Sequence, residues 1–199
     1  MRKKSIMLIF ILVLILVGCS NAGIQNNKKE VSSSSEAIDF EEPFLVLGNK
    51  YNVIYNSSQK ENKNDRDSID NSLKTLTENF EKLNGNINKK QDLNVIPLSY
   101  TVIKNPNSKI LGLNLLVVNT SDKIITDFST TVNYTFKDSS FTDSHSLEMK
   151  EVGVNKLEKN EAVLISYATD IKDEFEEYFD NFNIEDVTIK LTDLIVTTE

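Results

Sequence analysis

Cysteine, histidine and tryptophan are almost absent from this chain. Its 199 residues include one cysteine, one histidine and no tryptophan. A single cysteine cannot form a disulfide within the chain, and it excludes zinc and iron–sulfur sites built from several cysteines. The fold must therefore be stabilised by a packed core, and a hydrophobic content of 39% is compatible with one.

Positive charge is also in the minority, because 22 lysines and arginines face 30 aspartates and glutamates, for a net charge of −8. Such a surface repels polyphosphate, so we expect no nucleic-acid partner.

Catalytic signatures are missing as well. The chain has no G-x-S-x-G frame, no H-E-x-x-H pair and no P-loop. His145 lies in the polar stretch FTDSHSLE, where we expect a surface residue in a loop or at a strand edge. The sequence therefore predicts a protein that is not an enzyme and that has no cofactor and no metal site.

Acidic residues are concentrated between positions 170 and 180. This stretch could bind Ca²⁺ or supply an acid–base pair, but it lacks the glycine and alternating acids of a calcium loop. The apolar residues around it follow a helical period, which places the acids on a solvated helix face. The acids are Asp170, Asp173, Glu174, Glu176, Glu177 and Asp180.

The first twenty residues read as an export signal. Three basic residues, Arg2 to Lys4, precede twelve apolar residues, Ile6 to Val17. That run is shorter than the about 20 residues of a membrane span, and it is typical of the hydrophobic region of a secretory signal peptide. An uncleaved N-terminal anchor with an incidental cysteine is the alternative.

The stretch LVGC, comprising Leu16, Val17, Gly18 and Cys19, resembles the bacterial lipobox. The resemblance implies that residues 1–18 are removed as a signal peptide by signal peptidase II. It also implies a diacylglyceryl group on Cys19, so that membrane lipid is a partner. The mature protein is then expected at the cell membrane, lipid-anchored and facing outside the cytoplasm, since two acyl chains suffice for stable anchoring.

The mature chain divides into three parts. Residues 19–37 comprise the lipidated cysteine and a polar, serine-rich flexible tether. Residues 38–94 contain a predicted strand pair, with Gly48 and Asn49 at its turn, and one amphipathic helix. We expect the helix to begin at Asp67 or Ser68 and to end at Gly85, after a polar loop over 56–66. Its apolar stripe is Ile69, Leu73, Leu76, Phe80 and Leu83, which we expect to pack on the protein's own sheet rather than on a partner.

From residue 95 to 199 the hydrophobic period becomes two, which indicates strands joined by turns. A phase slip at Thr192 and Asp193 predicts a β-bulge in the last strand. A short helix is expected just before that strand. The predicted inward-facing side chains are Val132, Tyr134, Phe136, Val163, Ile165 and Ile189.

Two stretches of this region, LGLNLLVVNTSDKIITDFSTTVNYTFKD and LEKNEAVLISYATD, resemble the FxLYD-type immunoglobulin-like domains of bacterial surface lipoproteins. The expected fold is therefore mainly β: an antiparallel immunoglobulin-like sandwich with one N-terminal amphipathic helix and a short helix before the last strand. The resemblance implies a sandwich on a tether and supplies no catalytic residues.

These features predict a membrane-anchored extracytoplasmic lipoprotein that acts as a non-enzymatic binding, adhesion or envelope-assembly module. Its expected partner is a protein or a component of the cell envelope. The alternative is a ligand-binding component of a transport system, which usually needs two lobes around a cleft.

The tether gives a direct test. Replacing residues 20–37 by Gly/Ser repeats should leave thermal stability unchanged, because this stretch has too little apolar surface to become ordered by burial. Thermal melting of the two proteins checks this, and a lower melting temperature for the replaced version would contradict it.

Overall fold

Eight strands in two sheets form the body of the computed structural model, which describes residues 40, 42–106 and 108–199. One sheet, sheet A, has the order β1-β2-β7-β4-β3, and the other, sheet B, has the order β6-β5-β8. The prediction of a mainly β sandwich is confirmed. The strands are β1 (Leu45–Leu47), β2 (Tyr51–Ile54), β3 (Leu93–Asn105), β4 (Ser108–Asn119), β5 (Ile125–Phe136), β6 (Thr142–Glu148), β7 (Glu161–Asp170) and β8 (Val187–Thr198).

The helices are few and mostly short. They are α1 (Ser57–Glu61), α2 (Lys63–Leu83), α3 (Met149–Val152) and α4 (Glu176–Asp180), with 3-10 turns at Asn84–Asn86, Asp173–Phe175 and Ile184–Asp186. No helix in the described part of the chain is both long and apolar enough to cross a membrane.

The first strand pair is a tight hairpin, as predicted. Leu47 faces Tyr51 across a turn in which Gly48 and Asn49 both have positive φ. Strand β2 then pairs in parallel with β7, from Asn52 opposite Glu161 to Ile54 opposite Val163. The expected wholly antiparallel arrangement is therefore wrong at this one pair, where the long connection that parallel strands require is provided by the helices and strands between β2 and β7.

The stretch over 56–66, expected to be a loop, is helical instead. The side chain of Asn56 accepts a hydrogen bond from the N–H of Gln59, and the Gln59 side chain accepts one from the N–H of Asn56. This reciprocal pair starts α1. Asn62 then caps α2, which begins well before Asp67 and ends at Leu83. Side-chain capping by Asn56 and Asn62 thus favours helix formation in this stretch, although its polar composition predicts a loop.

The apolar stripe of α2 packs inside the molecule. Leu76, Phe80 and Leu83 are buried, and the Phe80 ring lies edge-on to Tyr51 of β2 at 5.9 Å. The Nδ2 of Asn79 donates to the Leu98 carbonyl at 2.7 Å. The helix therefore covers the outer face of sheet A, while sheet B covers the inner face.

Most of the predicted inward-facing positions are buried. Val132, Tyr134, Phe136 and Val163 lie in the core, and Ile165 and Ile189 are half-buried against it. The predicted bulge is also present. Ser129 pairs with Ile195 and Thr131 with Thr192, so that two residues of β8 oppose one of β5, and Asp193 has positive φ.

A cluster of aromatic rings closes one end of the sandwich. Phe179 of α4 packs edge-on against Phe136 at 5.4 Å and against Phe141 at 5.2 Å. Phe182 lies 5.5 Å from Phe179. The short helix predicted before the last strand is therefore confirmed, and its apolar face points into the core.

Phe80 tests the role of α2. Phe80→Ala should lower the free energy of unfolding by about 3–5 kcal/mol, because it removes a ring that is 1% exposed. Urea unfolding checks this. Lys74→Ala, on the exposed face of the same helix, should change it by less than about 0.5 kcal/mol. Equal effects at the two positions would contradict the packing.

Candidate binding site between strands β6 and β7

The lipobox residues Leu16, Val17, Gly18 and Cys19 lie outside the described residues. The lipid anchor thus stays a prediction from sequence.

The acidic stretch is mostly solvated, as expected, and three of its acids form ion pairs. Lys104 lies 3.3 Å from Glu176 and 2.5 Å from Asp180, and Lys109 contacts Glu176 and Asp173. Hydrogen bonding to Lys109 lowers the pKa of Glu176. Within the described ranges, no group of three or more histidines, cysteines and acids could hold a metal ion.

His145 lies on an edge strand of sheet B, which is one of the two expected settings, but it is half-buried rather than exposed on the surface. It lies on β6 and its imidazole stacks on the Tyr167 ring, with centroids 4.0 Å apart and planes 10° apart. Tyr134 of β5 stacks on Tyr167 as well, at 5.0 Å and 3°. The expectation of surface exposure fails because alternation along β6 turns His145 inward, where two aromatic rings from two other strands meet it.

Polar atoms of these side chains are paired across the sheets. The Tyr167 hydroxyl on β7 donates to Asp143 Oδ2 on β6 at 2.5 Å. Tyr134 Oη lies 3.3 Å from His145 Nδ1, which can accept the hydroxyl hydrogen when the imidazole is neutral. We call the group of Tyr134, Asp143, His145 and Tyr167 the seam cluster, because it joins the two sheets where β6 and β7 lie opposite each other.

Burial sets the protonation of the seam cluster. It raises the pKa of Tyr134 far above its ordinary value, and the neighbouring Tyr167 and Asp143 add to the shift. Burial also raises the pKa of Tyr167, with its hydrogen bond to Asp143 as a second cause. For His145, burial lowers the pKa, although the charges of Asp143 and Glu151 oppose the effect. The two phenols therefore stay protonated and the imidazole neutral near pH 7.

The seam cluster lies beside an open strand edge. Because β2 ends opposite Val163, it pairs with only the first residues of β7. The Gln59 side chain donates a hydrogen bond to the Leu164 carbonyl, so this edge of β7 is hydrogen-bonded for one residue beyond the end of β2. No β2 residue pairs with β7 from Ser166 to Asp170, while β4 pairs with the opposite edge of β7 through Asp170.

The outer face of sheet A becomes polar over the same rows. Ala162 and Leu164 are buried on this face, whereas Ser166, Ala168 and Asp170 are exposed. Asn114 of β4 donates through Nδ2 to Ser99 of β3 at 2.8 Å and accepts from Ser166 at 2.9 Å. The uncovered part of sheet A thus presents a hydrogen-bonded row of polar side chains, Ser99, Asn114 and Ser166, next to the open edge.

A hollow of about 420 Å³ lies between α2, β3 and residues 181–184 and is another candidate site. Its polar groups are largely used within the protein. Asn79 donates to Leu98, Tyr100 donates to the Phe182 carbonyl, and Ser99 accepts from Asn114. The open edge of β7 therefore offers more unpaired hydrogen-bonding groups than this hollow.

Comparison with known proteins gives little further guidance. No protein-family model matches this sequence. A search of curated proteins found no match either. Among solved structures, the trimeric lipoprotein SadB of Salmonella enterica aligns with 70% of this chain and 86% of its own, at 13% identity and a TM-score of 0.28.

Sequence reasoning missed the seam cluster. Tyr134 is among the predicted core residues, but the polar composition around His145 does not indicate that this side chain faces the other sheet. The alternation of Asp143, His145 and Leu147 with Thr142, Ser144 and Ser146 is the signal that could have indicated it.

The lowered pKa of His145 predicts a specific pH dependence of stability. In the unfolded chain, His145 has its ordinary pKa of 6.5, whereas burial in the native protein lowers the pKa of this imidazole. The free energy of unfolding should therefore fall as pH drops below about 6.5, by up to about 1.4 kcal/mol per pH unit for one proton. Urea unfolding between pH 7.5 and 5.5 measures the slope.

Two neutral variants provide the control. Since His145 is the only histidine in the chain, His145→Phe and His145→Gln should both have a smaller slope than the native protein over this range. A native slope no larger than that of the variants would show that the imidazole titrates normally.

Proposed function

We propose that this chain is a lipid-anchored protein on the outer side of the cytoplasmic membrane and that its sandwich is a non-enzymatic binding module. The observation that carries the proposal is the position of the one cysteine. Cys19 directly follows a basic start, a twelve-residue apolar run and a small glycine. A thiol acylated there would be placed at the membrane surface, with the compact unit Asp39–Glu199 held outside it.

The chemistry of the seam cluster supports a binding role over a catalytic one. In a hydrolytic triad, an acid orients a histidine that activates a nucleophile. Here Asp143 accepts its hydrogen bond from Tyr167 rather than from His145. The raised pKa of Tyr134 makes its hydroxyl a poor nucleophile at neutral pH. These groups are suited to hold two sheets together and to provide a stacked aromatic surface.

The partner class follows from the same features. A tethered sandwich with an acidic surface fits an adhesion or envelope-assembly role, in which a protein outside the membrane is the ligand. The resemblance to FxLYD-type surface lipoproteins supports the same assignment, on the residues quoted for it above.

Cys19→Ala tests the anchor. The variant should lose incorporation of radiolabelled palmitate, because the thiol is the attachment point for the diacylglyceryl group. It should either accumulate as an uncleaved precursor or leave the membrane fraction. Metabolic labelling followed by immunoprecipitation from expressing bacteria measures this.

Ser20→Ala is the matched control, since it changes the neighbouring residue and leaves the thiol intact. It should be labelled as strongly as the native chain. Palmitate incorporation into the Cys19→Ala protein would show that the lipobox interpretation is wrong.

A further inference from the structure

We propose that the open edge of β7, from Ser166 to Asp170, binds an extended, positively charged polypeptide segment of a partner protein by strand addition to sheet A. This inference deepens the proposed binding function and rests on it. It assigns the site and the chemistry of the ligand.

The hydrogen-bonding direction along β7 determines which groups are free. The Ile171 N–H donates to the Lys109 carbonyl, so odd-numbered residues of β7 bond to β4. Even-numbered residues point the other way, as shown by the Asn160 carbonyl, which accepts from Asn52 of β2. Because successive backbone groups alternate, the N–H groups of Ser166, Ala168 and Asp170 point away from the sheet, and among the described residues none has a partner.

This edge lacks the features by which exposed strands usually avoid pairing. Edge strands are commonly protected by proline, bulges, short length or lysine. Strand β3 contains Pro97 and a bulge beside it, and β8 has the bulge at Asp193. Strand β1 is three residues long. From Ser166 to Asp170, by contrast, the pairing of β7 with β4 continues without a register shift, and the outward-facing residues are small.

Both faces of an added strand would find suitable surroundings. Side chains pointing inward would lie beside the Tyr167 ring and the stacked His145, which offer apolar contact. Side chains pointing outward would lie beside Ser166, Ala168 and Asp170. The site therefore fits a segment with alternating apolar and polar side chains.

The acidic groups near the open edge determine whether the polar side chains of the ligand should be basic or acidic. Asp170 ends the edge strand and Asp143 lies in the seam cluster. In the part of the chain that the structure describes, neither has a cation within 4.0 Å. A lysine or arginine that points outward on the incoming strand would be attracted to Asp170, whereas Asp143 lies on the inner side, where the apolar side chains would point. A second copy of this chain, with its own net charge of −8, would be repelled, so a basic partner is favoured over self-association.

A pair of simple peptides tests the proposal on the full-length chain in non-ionic detergent. The probe is a capped hexapeptide of alternating lysine and valine, compared with the same peptide containing glutamate instead of lysine. The lysine peptide should slow hydrogen exchange of residues 165–170, as measured by mass spectrometry, and the glutamate peptide should not. Methylation of the alternate peptide nitrogens that face β7 should weaken binding at least tenfold, whereas methylation of the others should have little effect.

Ala168 offers a matched pair of variants. Ala168→Pro removes the central free N–H and should weaken binding at least tenfold, since proline on an open edge spares the internal ladder. Ala168→Val keeps the N–H and should bind like the native chain. If Ala168→Pro fails to fold, the methylated peptides still decide the question on the native protein.

Several outcomes would overturn the proposal. The first is that the lysine peptide does not bind at a concentration of about 1 mM, where even a weak interaction would be detected. The second is that the glutamate peptide binds equally well. The third is that slowed hydrogen exchange is confined to residues 142–148 of β6. If sedimentation shows a dimer and Ala168→Pro abolishes it, the occupant of the edge is a second copy of this chain. Stronger binding after deletion of residues 20–37 would assign it to the chain's own tether. Because the assay does not depend on lipidation, its result is independent of the Cys19→Ala experiment.

Discussion

Burial of both faces of sheet A is the constraint on which the rest of the structure depends. Its strand β4, which lies between β7 and β3, directs Leu113 and Leu115 to one side and Leu116 and Val118 to the other, and all four are buried. A sheet that is apolar on both faces needs two covering layers. Sheet B supplies one and α2 the other, which is why a chain of this size requires a helix of 21 residues on its sandwich.

The cover is incomplete at one corner, where the seam cluster and the open edge of β7 lie. Strand β2 is too short to follow β7 to its end, and α1 begins where β2 stops. The exposed rows of sheet A are no longer apolar. They carry a polar ladder on the outer face and aromatic rings that hold the two sheets together on the inner face. Cover and composition change together, so the outer face exposes Ser166, Ala168 and Asp170 at this corner rather than large apolar side chains.

The sequence predicted those elements whose signal is local. Alternation in TTVNYTFKD and the three-four spacing of Leu73, Leu76 and Phe80 reflect one buried face each, so β5 and α2 could be recognised. The start of α2 was placed too late because the capping amides of Asn56 and Asn62 lie in a stretch with no apolar stripe. The pairing of β2 with β7 depends on residues more than a hundred positions apart, which no local pattern records. The seam cluster escaped prediction for the same reason, since His145 acquires its environment only when β7 arrives.

The place of β8 in the fold also determines when the protein can fold. Sheet B has β5 at its centre, and one of the two neighbours of β5 is formed by the last described residues, up to Thr198. Even Glu199 donates its N–H back to the Ile124 carbonyl. A chain that is synthesised from its N-terminus leaves β5 half-paired until residues 187–198 have been added. Such distant pairings delay folding, so sheet B can be completed only after every strand of sheet A has been synthesised.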